Sequence, residues 1–150
     1  PAKVQRQVIG VFDKKWMRPF AEALKENNVL HAFIVHSEDG MDEISPFAKT
    51  YVVELKDNKI NEFIINPQEL GLKLSNKDNL KGKNAEYNSE KIIEIFKGKF
   101  NEFSQSVALN VAAGLVVSDK EKEFKEAFIK ASKYLNSGNV YLHLIKLQTL

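Results

Sequence analysis

The stretch VIGVFDKKWMRPFAEALKENNVLHAFIVH (Val8–His36) decides the fold. Its opening, Val8–Phe12, is a short apolar run that reads as a buried strand. Asp13 is a preferred N-cap and predicts a helix through about Lys25, with Trp16, Phe20, Ala23 and Leu24 near one face. Pro19 is tolerable only within the first turn or two of that helix. Asn27-Asn28 closes it, and Leu30–His36 (LHAFIVH) reads as a second strand. Strand, helix, strand in this order favours parallel pairing through a right-handed crossover.

Downstream, Ser37–Ser45 is a polar, acidic loop at the carboxyl end of the second strand. Thr50–Leu55 and Lys59–Ile65 are β-rich segments flanking Asp57-Asn58, the pattern of a hairpin. Pro67–Leu72 predicts a short helix or turn, and from Asn84 onward the pattern is helical only. Ala85, Ser89, Ile92, Ile93 and Phe96 form one stripe ending at Gly98, a C-terminal cap. Phe103–Val117 is an apolar helix expected to be buried on several sides. Phe124, Ala127, Phe128, Ala131 and Leu135 make an amphipathic stripe before Ser137-Gly138, and a last helix runs from about Val140 to the end. With no repeat, low-complexity tract or linker, residues 1–150 read as one compact unit. The expected class is α/β: part of a mixed sheet, β-α-β plus a hairpin, followed by a cluster of helices.

Composition narrows the function. A chain of 150 residues can bury about 68–70% of its unfolded surface, enough for a real core. The absence of cysteine excludes disulfides, thiolate zinc sites and cysteine nucleophiles. Of the 22 basic residues only Arg6 and Arg18 are arginines, which argues against a forked arginine clamp on phosphate or carboxylate. A net charge of +2 does not by itself imply a nucleic-acid partner. No apolar run approaches the roughly 20 residues that span a bilayer.

The acidic loop is the chemically informative stretch. Glu38, Asp39, Asp42 and Glu43 lie within six residues with no base among them. Carboxylates this close repel one another unless a cation lies between them, and such oxygen-rich clusters suit Mg²⁺. The loop also follows a strand's carboxyl end, where α/β sheets bind ligands. On spacing alone a solvated acidic turn is the simpler reading. His31 and His36 fall on opposite faces of a strand and cannot share a metal, and His143 is remote. No G-x-S-x-G elbow surrounds Ser37 or Ser45. The glycines at 10, 40, 71, 82, 98, 114 and 138 are too dispersed to cradle phosphate. No catalytic or cofactor-binding residue is assigned.

The run QVIGVFDKKWMRPFAEALKENNVLHAFIVHSEDGMDEIS (Gln7–Ser45) closely resembles the carboxyl-terminal half of anthranilate phosphoribosyltransferase. The similarity continues through LKGKNAEYN (Leu80–Asn88), FKGKF (Phe96–Phe100), VALNVAAGL (Val107–Leu115) and Ser137-Gly138. The resemblance implies a small helical domain beside a larger α/β domain with a mixed sheet. It implies transfer of phosphoribosyl from phosphoribosyl pyrophosphate to anthranilate, releasing pyrophosphate, in tryptophan biosynthesis in the cytoplasm. It also implies that the adjacent pair Asp42 and Glu43 binds Mg²⁺ associated with the pyrophosphate, leaving Glu38 and Asp39 as solvated neighbours.

The family's glycine-rich pyrophosphate loop, its Lys-His-Gly segment and its anthranilate-binding arginine match no residues here. The usual Val-His-Gly is Val35-His36-Ser37, Gly-Gly-Asp-Ala becomes Lys81-Gly82-Lys83-Asn84-Ala85, and a common Arg-Asp is replaced by polar Asn101–Ser106. The expectation is therefore residues 1–150 as the carboxyl-terminal part of the α/β domain, inactive alone. Its expected partners are the missing amino-terminal half or further copies of itself. Two alternatives stay open: a nucleic-acid-binding module, against which the dispersed lysines argue, and an assembly module using exposed apolar surface.

Overall fold

A computed structural model describes residues 3–73 and 77–149 of the chain. The opening β-α-β unit forms as expected. Strand β1 (Arg6–Gly10) leads through a 3-10 turn (Lys14–Trp16) into helix α1 (Met17–Glu26) and then strand β2 (His31–Ser37). Asp13 caps the 3-10 turn by accepting from the Lys15 amide at 3.0 Å, and Pro19 falls in the first turn of α1. Strands β3 (Thr50–Lys56) and β4 (Lys59–Ile65) complete a four-stranded sheet in the order β1-β2-β3-β4. β1 runs parallel to β2, placing Val8 opposite Phe33, and the other pairings are antiparallel. Asp57 and Asn58 take positive φ (47° and 65°), which gives the expected hairpin a turn that matches strand twist.

Both faces of the sheet are covered, which explains why β2 is almost continuously apolar. Alternation sends Ala32 and Ile34 towards α1, where they meet Met17, Ala21, Val53 and Leu55. Phe33 and Val35 point the other way, into a second core with Val52, Leu109, Ala113 and Phe128. That core is built on helices α3 (Glu102–Val117) and α4 (Phe124–Asn136), flanked by α2 (Ala85–Phe96) and α5 (Asn139–Gln148). The α4 stripe behaves as expected: Ala127, Phe128, Ala131 and Leu135 are buried. Gly98 ends α2 with φ 95°, and a Cβ there would press against the Asn136 carbonyl.

Two expected faces are corrected. The buried residues of α1 are Met17 and Ala21, while Trp16 and Phe20 are 41% and 42% exposed. The intervening 3-10 turn resets the helical phase, so counting from Asp13 misplaces the stripe. On α2 the buried residue is Ile95, whereas Ala85, Ser89 and Ile92 are exposed. Asn88 is half-buried and accepts the Lys83 amide at 2.9 Å. α3 is buried on several sides, as expected, with Val107 and Val111 left exposed. The polar Asn101–Ser106 segment supplies its capping box, Asn101 and Ser104 each accepting from the other's amide.

At the amino end of β1 and β2 lies a group of charges that satisfy one another. Arg6 pairs with Asp119 at 2.6 Å and donates to the Val117 carbonyl at 2.8 Å, tying β1 to the end of α3. His31, 1% exposed, meets Glu54 at 2.9 Å through Nε2 and approaches Asp119 at 3.6 Å through Nδ1. Lys56 is also 3.6 Å from Asp119. Desolvation works against the Asp119 carboxylate, yet the Arg6 charge and hydrogen bond, with Lys56 and His31 behind them, hold its pKa below the ordinary aspartate value.

Candidate functional site

The acidic loop sits at the opposite end, beyond the carboxyl ends of β1 and β2. Its backbone is held by internal bonds. The Ser37 amide donates to Met41 O at 2.9 Å, and the Gly40 amide to Ser37 O at 3.0 Å. The Glu38 amide donates to Lys49 O at 2.9 Å, and the Ser45 amide to Thr50 Oγ1 at 3.1 Å. Ser37, which stands where the resemblance expects glycine, turns its hydroxyl to Lys49 O at 3.2 Å. Ile44 is fully buried and anchors the loop in the core under α3.

Between the bonded Met41 and the buried Ile44 stand Asp42 and Glu43, both exposed. Neither carboxylate has a hydrogen bond or ion pair among the described residues. They rim a cleft of about 510 Å³ whose floor is Val8, Gly10 and Val35 and whose wall is Ser106, Val107, Asn110 and Val111 of α3. Among the described residues, no lysine, arginine or histidine lines it. Two unpaired oxygen donors with no cation beside them match what a hard ion such as Mg²⁺ requires. The pair alone does not complete a coordination shell: among the described residues no group of three or more histidine, aspartate or glutamate side chains is placed to hold a metal.

Two residues that sequence reasoning did not select fix this rim. Gly10 lies so close to the loop that a Cβ on it would fall inside the Asp42 carbonyl. Asn110, a polar residue inside the apolar helix, accepts the Ile44 amide at 3.0 Å and donates to Ile44 O at 3.1 Å. A glycine ending the first strand and a polar residue inside the apolar helix were the available signals.

Of the other two acidic residues, Glu38 is exposed as expected, whereas Asp39 is not a solvated neighbour. Asp39 is half-buried and organises the loop, accepting from Ser45 Oγ at 2.7 Å and from the Met41 amide at 3.3 Å. Glu38, although exposed, accepts from Tyr51 Oη at 2.9 Å, and this bond is the main cause that raises the Tyr51 pKa. Turn geometry and a cross-strand partner, neither visible in a charge count, recruit both side chains. His31 and His36 do lie on opposite faces, and His36 contacts Val11 O through Nδ1 at 2.9 Å. Several lysines are engaged locally: Lys14 over the Tyr51 ring, Lys15 with Asp13, Lys91 and Lys99 with Glu94, and Lys130 with Glu121. These lysines are separate local pairs, not one basic stripe of the kind nucleic acid requires. No helix among the described residues is long and apolar enough to cross a membrane.

A family model described as glycosyl transferase family, a/b domain, matches residues 1–141. Anthranilate phosphoribosyltransferase of Pelagibacter ubique (strain HTCC1062) is 49% identical over 150 residues, 100% of this chain and 46% of that protein. The protein of the same name from Caldanaerobacter subterraneus subsp. tengcongensis is 37% identical, over 98% of this chain and 43% of its own length. Among solved structures, anthranilate phosphoribosyltransferase from Thermus thermophilus superposes with a TM-score of 0.80 at 32% identity, covering 91% of this chain and 40% of that one. The Saccharomyces cerevisiae enzyme in complex with PRPP and Mg gives a TM-score of 0.80 at 25% identity, with the same coverage. The chain spans less than half the length of these relatives.

Proposed function

The chain belongs to the glycosyl transferase family, through its a/b domain, and on that premise we propose that it is the carboxyl-terminal part of that domain in an anthranilate phosphoribosyltransferase. The complete enzyme would move phosphoribosyl from phosphoribosyl pyrophosphate to the amine of anthranilate and release pyrophosphate, in tryptophan biosynthesis in the cytoplasm. The observation that carries the reading is the pair Asp42 and Glu43, exposed and unpaired on a cleft at the carboxyl ends of parallel strands.

These two carboxylates are the groups that would hold Mg²⁺, and the solved relative in complex with PRPP and Mg supports that choice of ion. When bound, the ion offsets charge that builds on the departing pyrophosphate. The chain's own contribution is positional: a loop braced by Asp39, Ser45 and Ile44 presents both carboxylates from one rigid edge. Magnesium commonly takes one or two carboxylates together with substrate phosphate and water, so two protein ligands suffice for this half. Glycine-rich loop, anthranilate contacts and reacting groups would come from a complementary part, in the same polypeptide or another. The second edge of β1, which pairs with no described strand, and the open side of α3 at Val107 and Val111 support such a complement.

The test has two arms. The 150-residue chain alone should show no phosphoribosyl transfer to anthranilate, and robust turnover would overturn the reading. In a protein that also contains the complementary half, Asp42→Asn with Glu43→Gln should lower kcat/KM by about a hundredfold and weaken its Mg²⁺ dependence. Unchanged kinetics there would remove the metal assignment.

A further inference from the structure

Asn110 lies inside α3, where asparagine is a poor helix former and where no charged residue occurs between Glu102 and Asp119. Its amide is nevertheless fully used. Oδ1 accepts the Ile44 amide at 3.0 Å, and Nδ2 donates to Ile44 O at 3.1 Å and to Ser106 O at 3.0 Å. A reversed amide would face donor to donor and acceptor to acceptor, so the bonds also fix its orientation. Ile44 is the first residue after Glu43, Met41 on the other flank accepts the Ser37 amide at 2.9 Å, and Gly10 confines the Asp42 carbonyl between them. The two carboxylates thus project from a three-peptide bridge whose ends are both pinned.

We propose that Asn110 is the positioning residue of the Asp42–Glu43 pair: by holding both backbone groups of Ile44 it sets where the two carboxylates point. The inference rests on reading that pair as cation ligands. Aspartate at this position would set an oxygen against Ile44 O, and an aliphatic side chain would leave both Ile44 groups unpaired. A merely structural role would affect the stability of the protein without changing the cation affinity of its folded fraction.

Mn²⁺ titration followed by electron paramagnetic resonance on the folded 150-residue chain tests this. Asn110→Ala should weaken Mn²⁺ binding about tenfold, a loss in the range seen when residues that orient metal ligands are removed. Asn110→Gln should fall between, and Gly114→Ala, on the same helix but outside the cleft, where an added Cβ meets nothing within 4 Å, should stay within about twofold of wild type. Equal affinity in Asn110→Ala and wild type overturns the inference alone. Wild type binding no better than Asp42→Asn with Glu43→Gln overturns the metal reading and this inference with it. Amide exchange supplies a readout that needs no metal. The Ile44 amide should exchange at least about tenfold faster in Asn110→Ala than in wild type, with the Leu109 amide unchanged. Unaltered Ile44 exchange would show that Asn110 does not hold the loop and would overturn the proposal.

Discussion

At the amino end of β1 and β2, Arg6, His31, Glu54, Lys56 and Asp119 form contacts of 2.6 to 3.6 Å, whereas Asp42 and Glu43 at the carboxyl end have no cationic partner among the described residues. The same kinds of side chain therefore serve opposite purposes on one sheet. Where charges of both signs converge, they tie strand to strand and the sheet to α3, and little is left over for a ligand. Where carboxylates stand alone on a braced loop, their charge has no partner among the described residues, the arrangement that the proposed cation would use. Acid–base composition does not separate the two ends; the presence of partners does.

That contrast can be broken most forcefully at Gly10. Gly10→Ala drives a methyl group into the Asp42 carbonyl, so the loop or β1 must move. Urea unfolding should show a loss of about 3 kcal/mol, the upper part of the usual range for overpacking. A loss under about 1 kcal/mol would mean the carboxyl-end loop yields easily and is not braced. Next in size is Glu54→Ala at the other end. It removes the hydrogen bond to His31, whose Nδ1 already lacks one, and should cost about 2 kcal/mol in the same measurement. Mn²⁺ affinity should not change, because the two ends share no contact; a drop would couple them.

A smaller effect is expected in acid. The Asp119 pKa is depressed in the folded chain against about 3.9 in unfolded chains, so its ionic contribution is present above that value and is lost as pH falls through the folded pKa. The stability gap between wild type and Asp119→Asn should therefore close between about pH 5 and pH 2, and a gap independent of pH would show that charge is not what Asp119 contributes. Smallest of all, Asp42→Asn with Glu43→Gln should change unfolding free energy by no more than about 0.5 kcal/mol, as expected at exposed, unpaired positions. A large destabilisation would make the pair structural and erase the distinction.

Much of this architecture was legible from local chemistry. Asp57-Asn58 announced a hairpin, Asp13 capped the turn that leads into the crossover helix and Asn27-Asn28 closed that helix, and the α4 stripe identified its buried side, because each depends on residues within a few positions. The α1 face was misread because a 3-10 turn shifts its phase, and on α2 the packing partners, not the apolar spacing, decide which side is covered. That α3 is buried on several sides follows from its apolar composition, but that Val107 and Val111 stay exposed depends on what surrounds it. At the site, Asp42 and Glu43 were visible as a charge cluster and through the resemblance, but Asp39 was placed wrongly because its partner Ser45 is chosen by turn geometry, and the Tyr51 partner of exposed Glu38 is chosen by strand pairing. Gly10 and Asn110 were beyond reach for a related reason. Their importance lies in approaches to residues far along the chain.

The separation of Asn110 from Ile44, sixty-six positions, also has a consequence in time. During synthesis at roughly 5–20 residues per second, the carboxylate loop leaves the ribosome several seconds before the helix that clasps it exists. The strands and hairpin can assemble from near neighbours, but this clasp must wait for a long loop to close. The edge proposed to hold the cation is thus the one completed late, when α3 settles onto a sheet already made.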